Sequence, residues 1–160
     1  MHSKSAVVWA LGTMLIAIFF LVSRSACAAP AGDACSLLTP AEASAALGIS
    51  VGAGQHVIPS STAMCGWTKA GSSVPSAKRV TLTLETTTSF SNSKIPMRGI
   101  TKTPLSGVGD DALYIDTPGV GTSLQVKKGD AAFSLRVYGF PMDQIKAKEK
   151  SLAQKVIGRM

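Results

Sequence analysis

The clearest alternation of apolar and polar residues runs through "KRVTLTLETTT", residues 78–88. Val80, Leu82 and Leu84 share one face and Thr81, Thr83 and Glu85 the other, the period of two that marks a half-buried strand. Two more alternating runs lie towards the C-terminus: Leu124 and Val126 precede "GD", and Ala131, Phe133, Leu135 and Val137 follow it. Taking Gly129-Asp130 as a two-residue turn sets Lys128 opposite Ala131, Val126 opposite Phe133 and Leu124 opposite Leu135. Both apolar sets then land on one face, and glycine at the first turn position suits a type II′ hairpin. Shorter strands are expected at "ALYID", around residues 56–58, and at "MCGWTK", which carries Cys65 and Trp67 to a common face. Pro118-Gly119 fits the corner of a type II turn.

Two stretches switch to helical spacing. In "CSLLTPAEASAALG", Thr39 is a natural N-cap, Pro40 suits the first helical position, and Glu42 stands three residues after Thr39 to complete a capping box. Gly48 supplies a left-handed stop, so a helix is expected over Pro40–Leu47, burying Ala43, Ala46 and Leu47. The second helix is expected over Met142–Ile157. Ile145, Leu152 and Val156 form its apolar stripe, with Lys148, Lys155 and Arg159 along one flank and Lys146 and Lys150 along the other. Residues 89–109, "SFSNSKIPMRGITKTPLSGVG", show almost no periodicity and read as a long excursion holding at most one irregular helix. Excursions of that length in a compact domain are functional or mobile. The elements add up to an α+β domain: an antiparallel sheet of about four to five strands, packed on one face by the short N-terminal helix and the amphipathic C-terminal helix. On the other face Ser123, Gln125, Lys127, Ser134 and Arg136 of the hairpin are expected to meet water.

The N-terminus does not belong to that pattern. Residues 1–28 combine a short basic start, "MHSK", with 17 uncharged residues from Ala6 to Val22 and a small-x-small ending at Ala26 and Ala28. This is the form of a cleaved secretory signal peptide, with cleavage after Ala28 and residues 29–160 as a single mature domain. A retained anchor is the alternative, because 17 residues sit at the short limit of a membrane span. No twin-arginine pair precedes the run, which points to the general secretory route and a periplasmic or extracellular location. Lipid attachment needs an aliphatic residue three positions before a cysteine. Arg24 stands there for Cys27 and Gly32 for Cys35, so no lipid anchor is expected. Removal of Lys4 and Arg24 with the leader lowers the formal charge from +7 to +5. Cys35 and Cys65 remain, and an even pair in an oxidising compartment reads as a disulfide. Two free thiols, or a metal pair supported by His56, are the alternatives.

The order "CSLLTPAEASAALG", "CGW", "PLSGVGDDALYI", "VKKGDAAFSLRV" and a basic terminal helix resembles a family of small exported bacterial proteins and envelope lipoproteins of unknown function. The resemblance covers most of residues 33–157. It implies an α+β fold and an envelope location, and it carries no catalytic residue across.

Candidate chemistry is sparse. "GVGDDA" places Asp110 and Asp111 directly after the glycines Gly107 and Gly109. Calcium, however, takes six to eight oxygen ligands from spaced loop positions, and these two with Asp116 do not match such a loop; a tight turn with an aspartate bonding its own backbone is the simpler reading. Asp110, Asp111 and, within the excursion, Arg98 are retained as weak ligand-surface candidates. His56 is the sole histidine of the mature chain, and no serine stands in a Gly-x-Ser-x-Gly elbow. No catalytic, cofactor or metal residue is therefore assigned. Trp67 could stack a sugar, but its place beside Cys65 favours the core. The positive charge suits phosphate, yet export, few aromatics and the lack of a binding motif argue against nucleic acid. Lysines beside an apolar stripe suit a lipid interface, and suit equally the rim of a helix docked on a sheet. The expectation is a non-catalytic domain that binds a ligand or partner in the envelope, an unidentified envelope component or secreted protein. A small hydrolase using His56, or an inhibitor or assembly factor of a secreted enzyme, is the alternative.

Overall fold

A computed structural model describes residues 32–71 and 77–160, and the expected leader, with Cys27 and the cleavage position after Ala28, lies outside the described residues. Within them one antiparallel sheet holds β1 (Gln55–His56), β2 (Met64–Trp67), β3 (Arg79–Glu85), β4 (Thr101–Pro104), β5 (Asp111–Thr117), β6 (Gly121–Lys128) and β7 (Ala131–Tyr138). The spatial order is β1-β2-β3-β7-β6-β5-β4. Two meanders, β1 to β3 and β4 to β7, meet where β3 and β7 pair over their whole shared length, from Arg79 opposite Tyr138 to Glu85 opposite Ala132. The helices are α1 (Pro40–Leu47), α2 (Thr87–Ser93) and α3 (Met142–Ile157).

Seven strands replace the four to five expected. The strand with no counterpart among those expected is the edge β4, four residues too short for alternation to register, while the other edge, the two-residue β1, falls where a short strand is expected around residues 56–58. Lys102 and Pro104 on β4 are residues that blunt an exposed edge. The long excursion is correspondingly corrected: residues 89–109 contain most of α2 and all of β4. Its place follows from topology. The chain leaves β3 in the middle of the sheet and must re-enter at the far edge, so α2 crosses the outer face. Thr86 caps α2 by accepting from the Ser89 N–H, and Phe90, its one large apolar residue, packs on Leu113 and Ala132. The expected wet face is corrected with it, because α2 packs against β6 and β7 and leaves Ser123 and Gln125 buried.

The opposite face carries the main core. Trp67, Val80, Leu82, Leu124, Val126, Phe133 and Leu135 meet Ala43 and Leu47 of α1 and Leu152, Ala153 and Val156 of α3. The hairpin register is the one its alternation demands, with Leu124 opposite Leu135 and Val126 opposite Phe133. At its turn Gly129 has φ +58° while Asp130 does not have a positive φ, in keeping with type II′. The capping box on α1 forms as read: the Thr39 N–H donates to Glu42 Oε2 at 2.9 Å and the Glu42 N–H to Thr39 Oγ1 at 3.2 Å.

Glu42 also ties α1 to the end of α3. Arg159 donates to both of its carboxylate oxygens at 2.9 Å and to the Leu37 carbonyl. The Arg159 guanidinium, with the Thr39 groups, holds the Glu42 carboxyl down at about 2. Lys148 donates to the Ala46 carbonyl at 2.7 Å, so these cations of α3 bind the rim of their own fold. Among the described residues no helix is long and apolar enough to cross a membrane.

Cys35 and Cys65 form a disulfide with a Cα separation of 5.1 Å. It joins the 3-10 turn Ala34–Ser36 before α1 to β2. For a sequence separation of 30 the loop-entropy model gives about 3.5–4 kcal/mol of stabilisation. Such a bridge persists in an oxidising compartment.

Candidate functional site

The residues singled out from the sequence do not converge. Asp110 closes the hairpin turn next to it, accepting from the Gly129 N–H at 2.7 Å and from Lys128 Nζ at 3.1 Å. Those two donors hold its carboxyl below the ordinary aspartate range. Asp111 turns the other way and pairs with Lys94 at the end of α2. Arg98 stands exposed in the segment before β4. Gly109, just before Asp110, has to be glycine: at φ +64° a Cβ would lie 2.5 Å from the Lys127 carbonyl oxygen, so the chain passes too close to β6 for a side chain. "GVGDDA" is thus built as a tight lead-in to β5. Trp67 lies fully buried beside Cys65.

A different group comes together where the sheet opens. The β5–β6 hairpin is long, and its pairing continues from Ala112–Val126 through Asp116–Thr122 to Thr117–Gly121. Its turn is the one expected, with Gly119 at φ +75° after Pro118 and the Val120 N–H returning to the Thr117 carbonyl at 3.0 Å. The β6–β7 ladder, by contrast, stops at Leu124 opposite Leu135. The next two pairs in register, Ser123 with Arg136 and Thr122 with Val137, are not joined. Beyond them β7 bends away through Gly139, at φ +88°, into α3. The hairpin tip therefore overhangs, and between it and the start of α3 lies a cleft of about 470 Å³. Its walls include Asp116 and Thr122 on one side and Phe140, Met142 and Ile145 on the other. Val120 and Met142 are 57% and 44% exposed at its mouth.

Polar groups in and behind this cleft are incompletely matched. Asp116 Oδ2 pairs with Lys146 Nζ at 2.7 Å, but its buried Oδ1 has no partner among the described residues. Thr122, 4% exposed, faces Asp116 across the strands, and its Oγ1 also lacks one. Behind the wall, the Val137 N–H that should reach β6 donates to Glu149 Oε1 at 3.1 Å. Glu149 of α3 is fully buried, and its Oε2 has no partner among the described residues. Burial pushes its carboxyl up to about 8, so it is neutral at pH 7 and can donate as well as accept. Burial, with the nearby acids Glu149 and Asp116, raises the Tyr114 phenol to about 12. Its hydroxyl donates to the Lys146 carbonyl at 2.7 Å and fixes α3 against β5.

Sequence reasoning missed Asp116 and Thr122 as a pair because their proximity depends on hairpin register. Glu149 did leave a signal. It lies four residues after Ile145 and three before Leu152, on the apolar stripe itself.

A second cluster lies at the disulfide. His56 Nε2 is 2.9 Å from Asp33 Oδ1, which also accepts from the Cys35 N–H at 2.8 Å. One ligand atom each of Asp33, Cys35 and His56 falls within 4.8 Å of the others. His56 also faces Cys65 directly across β1 and β2.

Comparison of the chain with protein-family models, with curated proteins and with solved structures finds no match.

Proposed function

We propose that this is an exported, non-catalytic binding domain of the bacterial cell envelope, and that the cleft between the β5–β6 tip and α3 is its binding site. The observation that carries the reading is the pair of unpartnered buried oxygens, Asp116 Oδ1 and Thr122 Oγ1, on cross-strand neighbours in the wall of a cleft lined by both polar and apolar residues. Buried acceptors left open are costly, by about 1–3 kcal/mol each, unless something supplies a donor. A few polar groups set among apolar walls is the usual make-up of a small-molecule pocket. Both oxygens are closed to solvent, so a ligand meets them only when the two side chains turn towards the cleft. The chemistry they then ask for is a nitrogen-borne donor on an apolar body: an ammonium or amide N–H towards Asp116 and Thr122, with a ring or alkyl chain against Phe140, Met142 and Val120. Export is supported by the leader pattern of residues 1–28 and by the disulfide. The family resemblance supports an envelope setting. The arrangement favours binding over turnover, because Asp116 has its second oxygen engaged by Lys146 and, among the described residues, no nucleophile is placed beside it by a hydrogen bond.

The test is calorimetric titration with phenethylammonium as probe. A ligand of roughly nine heavy atoms binds with a dissociation constant of around a millimolar when well housed. Thr122→Val and Asp116→Asn should each weaken binding about tenfold in protein that circular dichroism shows to be folded. Equal affinity in both variants, or no saturable binding to the parent protein, would overturn the assignment.

A further inference from the structure

We infer that reduction of the Cys35–Cys65 bridge converts its corner of the fold into a zinc(II) site, with Cys35, Cys65, His56 and Asp33 as the four ligands. The four residues come from three separate pieces of chain, the 3-10 turn, β1 and β2; the disulfide joins the turn to β2, and the β1–β2 register sets His56 opposite Cys65. Asp33 and His56 already touch at 2.9 Å, and the ligand atoms of Asp33, Cys35 and His56 lie within 4.8 Å of one another. The Cys65 sulfur is bonded to that of Cys35, and His56 is its cross-strand neighbour. Two thiolates, an imidazole and a carboxylate suit zinc, whose four-coordinate sites draw on these ligands at about 2.0–2.3 Å.

The bridge acts as the gate. Disulfide sulfurs are poor ligands, so the oxidised protein offers the ion only one nitrogen and one oxygen. A dithiol reductant changes that in a balanced step: the S–S bond breaks, two electrons and two protons pass to the sulfurs, and the reductant closes into its own disulfide. Zinc then displaces both thiol protons. The sulfurs part from bonding distance to about 3.8 Å, the edge of a tetrahedron with Zn–S bonds of about 2.3 Å. Access is open, since Asp33, Cys35 and His56 are only half-buried and His56 lines a hollow of about 310 Å³ at the β1 edge. The ion would hold the turn before α1 to β2 in place of the covalent bond. The site is separate from the cleft and does not rest on its reading.

The experiment uses cobalt(II) as the spectroscopic stand-in. The purified protein is titrated with cobalt before and after anaerobic reduction by a phosphine, which does not itself compete as a thiol ligand. The reduced protein should develop one equivalent of thiolate-to-cobalt charge transfer together with the intense visible bands of tetrahedral cobalt, and added zinc should bleach both. The oxidised protein should show neither. His56→Ala and Asp33→Ala should each weaken the reduced protein's affinity at least about tenfold. Circular dichroism on the same samples reports whether the reduced chain is folded. The proposal fails if the reduced protein gives no tetrahedral bands, folded or unfolded, or if both variants bind as the parent does.

Discussion

Replacing Glu149 by glutamine tests how the wall of the cleft is built. The carboxyl is fully buried and pushed up to about 8 from an ordinary value of 4.5. Between those values the folded protein holds a proton that the unfolded chain has released. The folded state then binds more protons than the unfolded one, so stability must fall as pH rises through this window. The slope approaches about 1.4 kcal/mol per pH unit, and the whole window amounts to ~5 kcal/mol, with about 3 kcal/mol already lost at pH 7. The destabilisation is absent below about pH 4.5 and complete above about pH 8. A glutamine side chain at this position does not titrate. Its carbonyl oxygen can still accept from the Val137 N–H, which Glu149 Oε1 does at 3.1 Å, and its NH2 takes the place of a neutral carboxyl's O–H. Urea unfolding of both proteins across about pH 5–9 measures the difference directly. Glu149→Gln should nearly match the parent at pH 5, exceed it by about 3 kcal/mol at pH 7, and by most of ~5 kcal/mol at pH 9. A gap that stays constant over the whole range would refute the reasoning, since it would mean that Glu149 does not carry the proton.

Two further substitutions probe the scaffold. Gly109→Ala forces a Cβ to within 2.5 Å of the Lys127 carbonyl at a positive φ, and should cost about 2–4 kcal/mol in urea unfolding. Gly107→Ala, also at positive φ but with nothing within 4 Å, should cost only about 1 kcal/mol; equal losses would remove the close-approach argument. Glu42 has its folded value depressed to about 2, so its contribution is complete above the ordinary 4.5 and disappears as pH falls through 2. Glu42→Gln should therefore flatten the acid limb of a near-UV circular dichroism titration between about pH 4.5 and 2, and an unchanged acid limb would count against the Arg159 tie.

The parts of the fold that could be read from sequence are those specified by local chemistry. Thr39, Pro40, Glu42 and Gly48 define α1 over a short stretch because cap, first turn and stop are all short-range. The β6–β7 register followed from alternation plus one glycine, since a slip of one residue would turn Val126 and Phe133 to the wrong face. What could not be read depends on distant partners. The stretch "TTSFSNS" has one large apolar residue and no stripe, and it is a helix because Thr86 caps it and Phe90 finds Leu113 and Ala132. Ser123 and Gln125 look like solvent-facing residues until α2 is laid over them. Of the candidate sites, the Cys35–Cys65 bridge was legible from compartment and parity. The cleft was not, because it arises where one ladder continues to Gly121 and its neighbour stops at Leu124.

The central claim, that the cleft under the β5–β6 tip is where this domain binds, is tested most directly by an amide chemical-shift map. The ¹⁵N-labelled protein, titrated with phenethylammonium, should show saturable shifts gathered in residues 116–122 and 137–145. Shifts that never saturate, or that gather instead in residues 89–111 around Arg98, Asp110 and Asp111, would contradict it.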